Sequence, residues 1–101
     1  MDAGEMTSIA VLMTCHNRVN STLECLAHLY EQTALDRVVL SVYLVDDGSS
    51  DGTGEQVHER FPDVNVLKGD GSLFWNGGMH RAFGEALKVG FDYYLWLNDD
   101  T

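Results

Sequence analysis

Apolar runs alternate along the chain with segments in which apolar residues recur every three or four positions. Runs of the first kind predict four β-strands, at Ser8–Thr14, Val38–Val45, Val64–Leu67 and Tyr93–Leu97. Segments of the second kind predict three helices, the first beginning near Asn20 or Ser21, the second spanning Thr53–Arg60 and the third running from Met79 to Gly90. Strands that alternate with helices favour β-α units on a mainly parallel sheet.

Turn-forming and capping residues set the expected ends of these elements. Thr53 and Gln56 have the spacing of a capping box, which predicts that the second helix begins there. Gly90 fits the position that follows the third helix, where glycine is the usual C-cap. The segment Leu73–Gly78 is interpreted as a glycine-flanked aromatic loop before that helix.

Composition limits both the number of domains and the class of partner. The chain has 101 residues, 45% of them hydrophobic, which suits one domain over residues 1–101 with a single core. Six basic residues against sixteen acidic ones give a formal net charge of -10. Such a surface repels a phosphate backbone, so we expect no nucleic-acid partner. A nucleotide can still be bound through backbone amides and a bridging cation.

Cysteine content and the amino terminus favour a cytoplasmic location. Cys15 and Cys25 are too few for a zinc ribbon or a disulfide scaffold, so reduced thiols are expected. The apolar stretch Ile9–Met13 is far too short to span a bilayer, and Met1–Glu5 lacks a basic region of the signal-peptide kind. Membrane association would have to come from residues beyond Thr101 in a longer natural protein.

Polar clusters follow three of the four predicted strands, and each could contribute to one site. In a parallel sheet the carboxyl ends of the strands share an edge, and ligands bind there at the switch in strand order. The clusters are Cys15–Arg18, Asp46–Ser50 and Asn98–Asp100. Taken one at a time, the acidic clusters can equally be ordinary turns, so it is their common position that indicates a ligand site.

Carboxylates at two of these strand ends can serve different tasks. One can accept hydrogen bonds from a base or a sugar, and another can bind Mg²⁺ or Mn²⁺, which favour oxygen ligands. A single acidic pair is too small a ligand set to hold such an ion tightly. Phosphate oxygens and water would complete the shell, which predicts a metal recruited together with a nucleotide diphosphate.

The string VDDGSSDGT, from Val45 to Thr53, resembles the signature of family 2 glycosyltransferases, which are inverting enzymes with a GT-A fold. The resemblance runs from Ile9 to the end of the chain, and the acidic terminus is similar to a DxD-type metal motif. It implies a Rossmann-like, three-layer α/β/α fold with strand order 3-2-1-4. The stretch from Gly69 to Asp92 is similar to a bacterial branch that transfers rhamnosyl-like or other cell-surface sugars.

The same resemblance implies roles for individual residues. His16, Arg18 and Asp47 would contact the nucleobase, Asp99 would lie near the ribose or the sugar diphosphate, and Asp100 would bind Mn²⁺ or Mg²⁺. Two positions depart from the family pattern, because His16 stands where a Tyr is frequent and Asn98 stands where the DxD motif opens with Asp. A second, looser assignment concerns the predicted aromatic loop, where Trp75 and Asn76 either contact the donor sugar or pack the loop against the core.

Transfer with inversion also needs a general base for the acceptor hydroxyl. The resemblance places that base beyond Thr101, so the catalytic residue is unknown and we expect the 101 residues alone to be inactive. The implied partners are a UDP-, GDP- or dTDP-linked sugar and a saccharide or lipid-linked acceptor. The fourth strand would be an exposed apolar edge, which predicts a homo-oligomer.

Two other classes of protein compete with this interpretation. A non-catalytic module that binds a sugar nucleotide, or only the cation, would need the same nucleotide site and no catalytic half. A receiver-like signalling domain requires an acidic pair after the first strand, where this chain has Thr14-Cys15-His16. The receiver class is therefore disfavoured, and the binding module remains the alternative.

Overall fold

The computed structural model describes residues 7–33 and 38–98, which form alternating strands and helices. In chain order these are β1 (Thr7–Cys15), α1 (Val19–Thr33), β2 (Val38–Asp47), α2 (Thr53–Arg60), β3 (Asn65–Gly69), α3 (Phe74–Val89) and β4 (Tyr93–Trp96). Each predicted strand and helix is present. Among these helices, none combines the length and the apolar character needed to cross a membrane.

The four strands form one sheet in the order β3-β2-β1-β4, and every pairing is parallel. Thr7 pairs with Val38 at the start of β1, and Ile9 pairs with Tyr93 at the start of β4. This order places β1 and β2 at the centre of the sheet and confirms the predicted fold class. The switch in strand order falls between β1 and β4, as the family resemblance implied.

Each face of the sheet carries its own apolar layer, because side chains alternate between the faces along a strand. One face packs β1 and β2 against α1 and α2 through Val11, Met13, Val42, Leu44, Leu26 and Val57. The opposite face packs the same strands against α3 through Ala10, Leu12, Val45, Met79, Ala82 and Ala86. The result is the expected three-layer α/β/α arrangement.

Helix α3 begins five residues earlier than the sequence indicated. The segment Leu73–Gly78 was predicted as a loop, but α3 starts at Phe74 and only Leu73 precedes it as the N-cap. Leu73 has no side-chain capping group, so nothing in the local sequence signals the start. The other end agrees with the prediction, since the N–H of Gly90 donates to the carbonyl of Ala86.

Helix α2 has the predicted bounds but a different cap. The predicted capping box fails, because Gly52 is the N-cap residue with φ 81° and Thr53 lies inside the helix. The Asp51 carboxylate accepts hydrogen bonds from the N–H and the hydroxyl of Thr53. Asp51 therefore provides the polar contact that the sequence assigned to Thr53.

Strand β4 lies at one side of the described sheet and pairs only with β1. Its Tyr93, Leu95 and Trp96 side chains are exposed. The exposed apolar edge on which the predicted homo-oligomer depends is thus present in the described part of the chain. The oligomeric state itself stays a prediction.

Candidate functional site

The loops that follow β1, β2 and β3 meet at the carboxyl edge of the sheet and enclose a cleft of about 480 Å³. Four of the residues predicted for the nucleotide or the donor sugar line the cleft, namely His16, Arg18, Asp47 and Trp75. Its lining residues are Thr14, Cys15, His16, Arg18, Asp47, Gly71, Phe74, Trp75 and Asn98. The predicted Asn76 is exposed and does not line the cleft, whereas Asp99 and Asp100 lie outside the described residues.

Asp47 holds the loop between β3 and α3 in place. Its side chain is only 3% exposed, and its carboxylate accepts hydrogen bonds from three backbone N–H groups. Those of Gly71 and Leu73 reach Oδ1 at 2.9 and 3.3 Å, and that of Phe74 reaches Oδ2 at 2.8 Å. A carboxylate at a helix N-terminus is favoured by the helix dipole, so Asp47, at the end of β2, caps α3.

Phe74, beside this carboxylate, has a strained backbone conformation and an exposed side chain. Its φ of 57° lies in the left-handed region, where a bulky residue costs about 1–3 kcal/mol. The ring is 74% exposed and lines the cleft, so packing does not offset the strain. The hydrogen bond from its N–H to Asp47 keeps the backbone in this conformation.

His16 spans the loops after β1 and β2. Its Nδ1 lies 2.7 Å from the carbonyl oxygen of Asp47. Because a carbonyl can only accept, Nδ1 carries the proton in this contact, and Nε2 is left to accept from the Asn17 amide at 3.3 Å. Both ring nitrogens are engaged, so the imidazole is fixed at the edge of the cleft.

Asn17 and two serines tie the same loops together. Asn17 has φ 51°, a conformation that Asn tolerates better than most residues. Its N–H donates to Ser49 Oγ at 2.9 Å, and its Oδ1 accepts from the Ser50 N–H at 2.7 Å. We did not predict a role for these residues beyond their place in polar clusters.

Asp46 points to the opposite face of the sheet from Asp47. It is 2% exposed, and its carboxylate accepts from the N–H groups of Ser49 and Gly54 and from Lys68 Nζ at 3.1 Å. Lys68 also bonds Glu55 at 3.2 Å. Partial burial opposes the charge of Lys68, but the hydrogen bonds to Asp46 and Glu55 outweigh it and raise its pKa.

Asp51 caps the start of α1. Its Oδ2 accepts from the N–H of Val19, the first residue of α1, at 3.2 Å. The hydrogen bond from the Thr53 hydroxyl is the main reason that the pKa of Asp51 lies below its ordinary value. The VDDGSSDGT segment therefore contacts the start of all three helices through Asp46, Asp47 and Asp51.

Trp75 lies between the cleft and the aromatic residues of β4, and its contact with a donor sugar stays a prediction. It lines the cleft, and its ring also packs against Trp96 of β4, with the centroids 5.9 Å apart. Trp96 in turn contacts Phe83 and His80 of α3. The aromatic residues between α3 and β4 therefore hold Trp75 at the side of the cleft.

The predicted metal site depends on Asp100, which lies outside the described residues. Within residues 7–33 and 38–98, no three His, Cys, Asp or Glu side chains come together as a metal site. The carboxylates of Asp46, Asp47 and Asp51 already accept hydrogen bonds from protein donors. The described residues alone do not fit a divalent cation, and the predicted ligand Asp100 is outside them.

One comparison with known proteins identifies a family for this chain. The family model described as glycosyl transferase family 2 matches residues 10–101, nearly the whole chain. A comparison with curated proteins gives no match. The family match begins within β1 and covers all the other strands and helices described above, including the segment Val45–Thr53. The chain belongs to glycosyl transferase family 2.

Proposed function

We propose that this chain binds a nucleoside diphosphate sugar in the cleft, as the donor for glycosyl transfer with inversion to a saccharide or lipid-linked acceptor. The observation that carries the proposal is the convergence of His16, Arg18 and Asp47 on one cleft at the switch in strand order. That edge of an open parallel sheet is where nucleotides bind.

Membership of the family supports a glycosyltransferase function in general, with binding of a nucleotide-sugar donor and an acceptor. The finer assignments belong to the proposal. They are a UDP-, GDP- or dTDP-linked donor, transfer of a hexosyl or rhamnosyl group, a role in bacterial cell-surface polysaccharide synthesis, and a cytoplasmic location. A general base beyond Thr101 completes the proposed enzyme.

Asp47 has one acceptor position left for a ligand. An ionised carboxylate offers about four lone-pair sites, and three are taken by the backbone N–H groups of Gly71, Leu73 and Phe74. In our proposal the remaining site accepts an N–H of the nucleobase. His16, fixed by its two contacts, lies beside the base, and the Arg18 guanidinium adds a positive charge to an otherwise acidic protein.

The metal assignment in this proposal depends on Asp99 and Asp100. Members of the family commonly use divalent cations, and carboxylate oxygens suit Mn²⁺ and Mg²⁺. We assign Asp100 as the metal ligand and Asp99 to the ribose or diphosphate. A bound cation would neutralise charge on the departing diphosphate. Trp75 and Asn76 are assigned to the donor sugar, Trp75 more firmly because it lines the cleft.

Calorimetric titration of the 101-residue chain with UDP, GDP and dTDP, with and without Mn²⁺, tests the proposal. We expect one of the three to bind and Mn²⁺ to tighten that binding. Asp100→Ala should abolish the effect of Mn²⁺, whereas Glu59→Ala, which removes an exposed carboxylate on α2 outside the cleft lining, should preserve it. No binding by any of the three would refute the donor site, and binding that ignores Mn²⁺ would refute only the metal assignment.

A further inference from the structure

Trp96, the last residue of β4, packs its indole ring against helix α3. The ring centroid lies 5.9 Å from that of Trp75, 6.0 Å from that of Phe83 and 6.3 Å from that of His80. The strand register explains why the ring lies on this face of the sheet, because Trp96 pairs with Leu12 of β1, which belongs to the apolar layer against α3. Through Trp96, strand β4 therefore contacts the first turn of α3, where Trp75 lies.

Trp75 has its backbone and its ring held from two different strands. Phe74, directly before it, is held by the hydrogen bond from its N–H to Asp47 at the end of β2. The Trp75 ring is 45% exposed and lines the cleft, and Trp96 of β4 packs against it. Asp47 therefore fixes the backbone from which the side chain of Trp75 extends, and Trp96 restricts the rotamers that the ring can adopt.

The position of Trp96 connects this packing to the end of β4 at the cleft. Leu97 follows Trp96, and the N–H of Leu97 donates to the carbonyl of Leu12 at 3.0 Å. Asn98 comes next and lines the cleft. The end of β4 is therefore attached to β1 by a hydrogen bond and to α3 by an aromatic contact. Trp96 itself is absent from the cleft lining, so a ligand in the cleft would meet the ring of Trp75 and not that of Trp96.

An aromatic ring that is already held in place binds a sugar at a lower cost than a mobile ring. The C–H groups of a pyranose form an apolar face, and an indole ring is a large flat surface against which that face can pack. Immobilising a side chain on binding costs free energy, which the contact with the ligand must first offset. When the protein restricts the ring before the ligand arrives, that cost is part of folding and is absent from the free energy of binding.

We propose that Trp96 is a positioning residue for the donor sugar, which holds the ring of Trp75 in the orientation that contacts a neutral pyranose. The inference rests on the proposed function, and it adds that the contribution of the sugar to affinity depends on a residue outside the cleft lining. Trp96 acts on the sugar only through Trp75. The affinity for the nucleotide without its sugar should not change when Trp96 is replaced, because other residues are assigned to the nucleotide and the backbone of β4 stays paired with β1.

The test measures the ratio of two affinities, one for a nucleotide sugar and one for its nucleotide. The pairs are UDP-glucose with UDP, GDP-mannose with GDP and dTDP-rhamnose with dTDP, titrated by calorimetry in the presence of Mn²⁺. Trp96→Leu should lower the ratio roughly threefold to tenfold, the scale of one immobilised side chain, and leave the affinity for the nucleotide unchanged. Trp96→Phe, which keeps an aromatic ring, should restore most of the ratio. The control is Tyr93→Leu, which removes an exposed ring on the opposite face of β4 and should change neither affinity.

Fluorescence tests the positioning directly. The chain contains two tryptophans, so Trp75 is the remaining tryptophan in both Trp96 variants. If Trp96 restricts the ring, the Trp75 fluorescence of Trp96→Leu should have a lower anisotropy than that of Trp96→Phe and should be quenched more strongly by acrylamide. Replacing Trp96 should also have no further effect on the affinity ratio in a Trp75→Ala background, because the ring that it positions is gone.

The outcomes separate this inference from the proposed function. Failure of the wild type to bind any of the nucleotides and nucleotide sugars overturns both. Where a pair binds, an affinity ratio that Trp75→Ala leaves unchanged overturns the assignment of Trp75 to the sugar and the inference with it. A ratio that falls in Trp75→Ala but stays constant in Trp96→Leu overturns the inference alone. Should Trp96→Leu unfold, His80→Ala removes an exposed contact of Trp96 and is expected to lower the ratio about twofold; a constant ratio in that variant also overturns the inference.

Discussion

Gly54→Ala should destabilise this protein, although a glycine-to-alanine change inside a helix ordinarily stabilises. Gly54 lies in the first turn of α2, directly against the buried Asp46. A β-carbon at this position would come within 3.0 Å of Asp46 Oδ2 and of Lys68 Nζ. Asp46 is fully enclosed and cannot simply turn aside, so the substitution would displace the ion pair.

The magnitude follows from the contacts that the new methyl group would break. Asp46 Oδ2 accepts from the Gly54 N–H and from Lys68 Nζ, both at 3.1 Å. Losing hydrogen bonds to a buried charge costs about 3–5 kcal/mol, and the exposure of Lys68 puts the expected cost at the lower end. The gain in helix propensity is about 1 kcal/mol at most. The net expectation is a loss of about 2–3 kcal/mol, or roughly 10–20 °C in melting temperature.

Gly84→Ala is the matched control, because Gly84 is exposed in α3 and a β-carbon there meets nothing within 4 Å. It should raise the free energy of unfolding by about 1 kcal/mol. Both variants are compared with the wild type by urea and thermal denaturation, followed by circular dichroism. Unfolding of Gly54→Ala at or above the wild-type midpoint would refute the reasoning. If the damage runs through the ion pair, Lys68→Ala should cost less in the Gly54→Ala background than alone.

Two further predictions concern the other carboxylates of this segment. Asp47→Asn should lower the free energy of unfolding by about 2 kcal/mol and speed amide exchange at Phe74. The control Asp70→Asn, which loses its hydrogen bonds from Ser72, should have a far smaller effect on both. Equal exchange rates at Phe74 in the two variants would contradict the capping role of Asp47. Asp51 has a lowered pKa in the folded protein, so its stabilisation is complete above its unfolded pKa near 3.8 and is lost as the pH falls through the folded value. Asp51→Asn should therefore flatten the acid side of a stability-against-pH curve, and an unchanged curve would show that the cap on α1 contributes nothing.

The elements and the strand order could be predicted because their signals are local or belong to the family pattern. The first strand is apolar along its length and occupies the centre of the sheet, buried on both faces. The segment Val45–Thr53 pointed to the edge where the cleft lies. His16 follows β1 and Asp47 ends β2, so the sequence could place both at the same edge of the sheet.

The start of α3 and the partner of each carboxylate could not be predicted, because they depend on contacts between distant residues. Asp47 caps Phe74 across 27 positions of sequence, and Asp51 caps Val19 across 32. A capping residue is normally sought within a few positions of the helix start. The aromatic segment at Leu73–Gly78 thus resembled a loop.

The acidic residues of the Val45–Thr53 segment act first on the protein itself. Asp51, Asp46 and Asp47 accept N–H groups from the first turns of α1, α2 and α3, respectively. A ligand can therefore use Asp47 only through its remaining acceptor site, and a substitution there would change stability and affinity together. Asp46 helps to separate the effect on stability from the effect on affinity, because it is absent from the cleft lining. Asp46→Asn should lower stability while the folded fraction keeps its nucleotide affinity, so an extra loss of affinity in Asp47→Asn would support the proposed contact with the base.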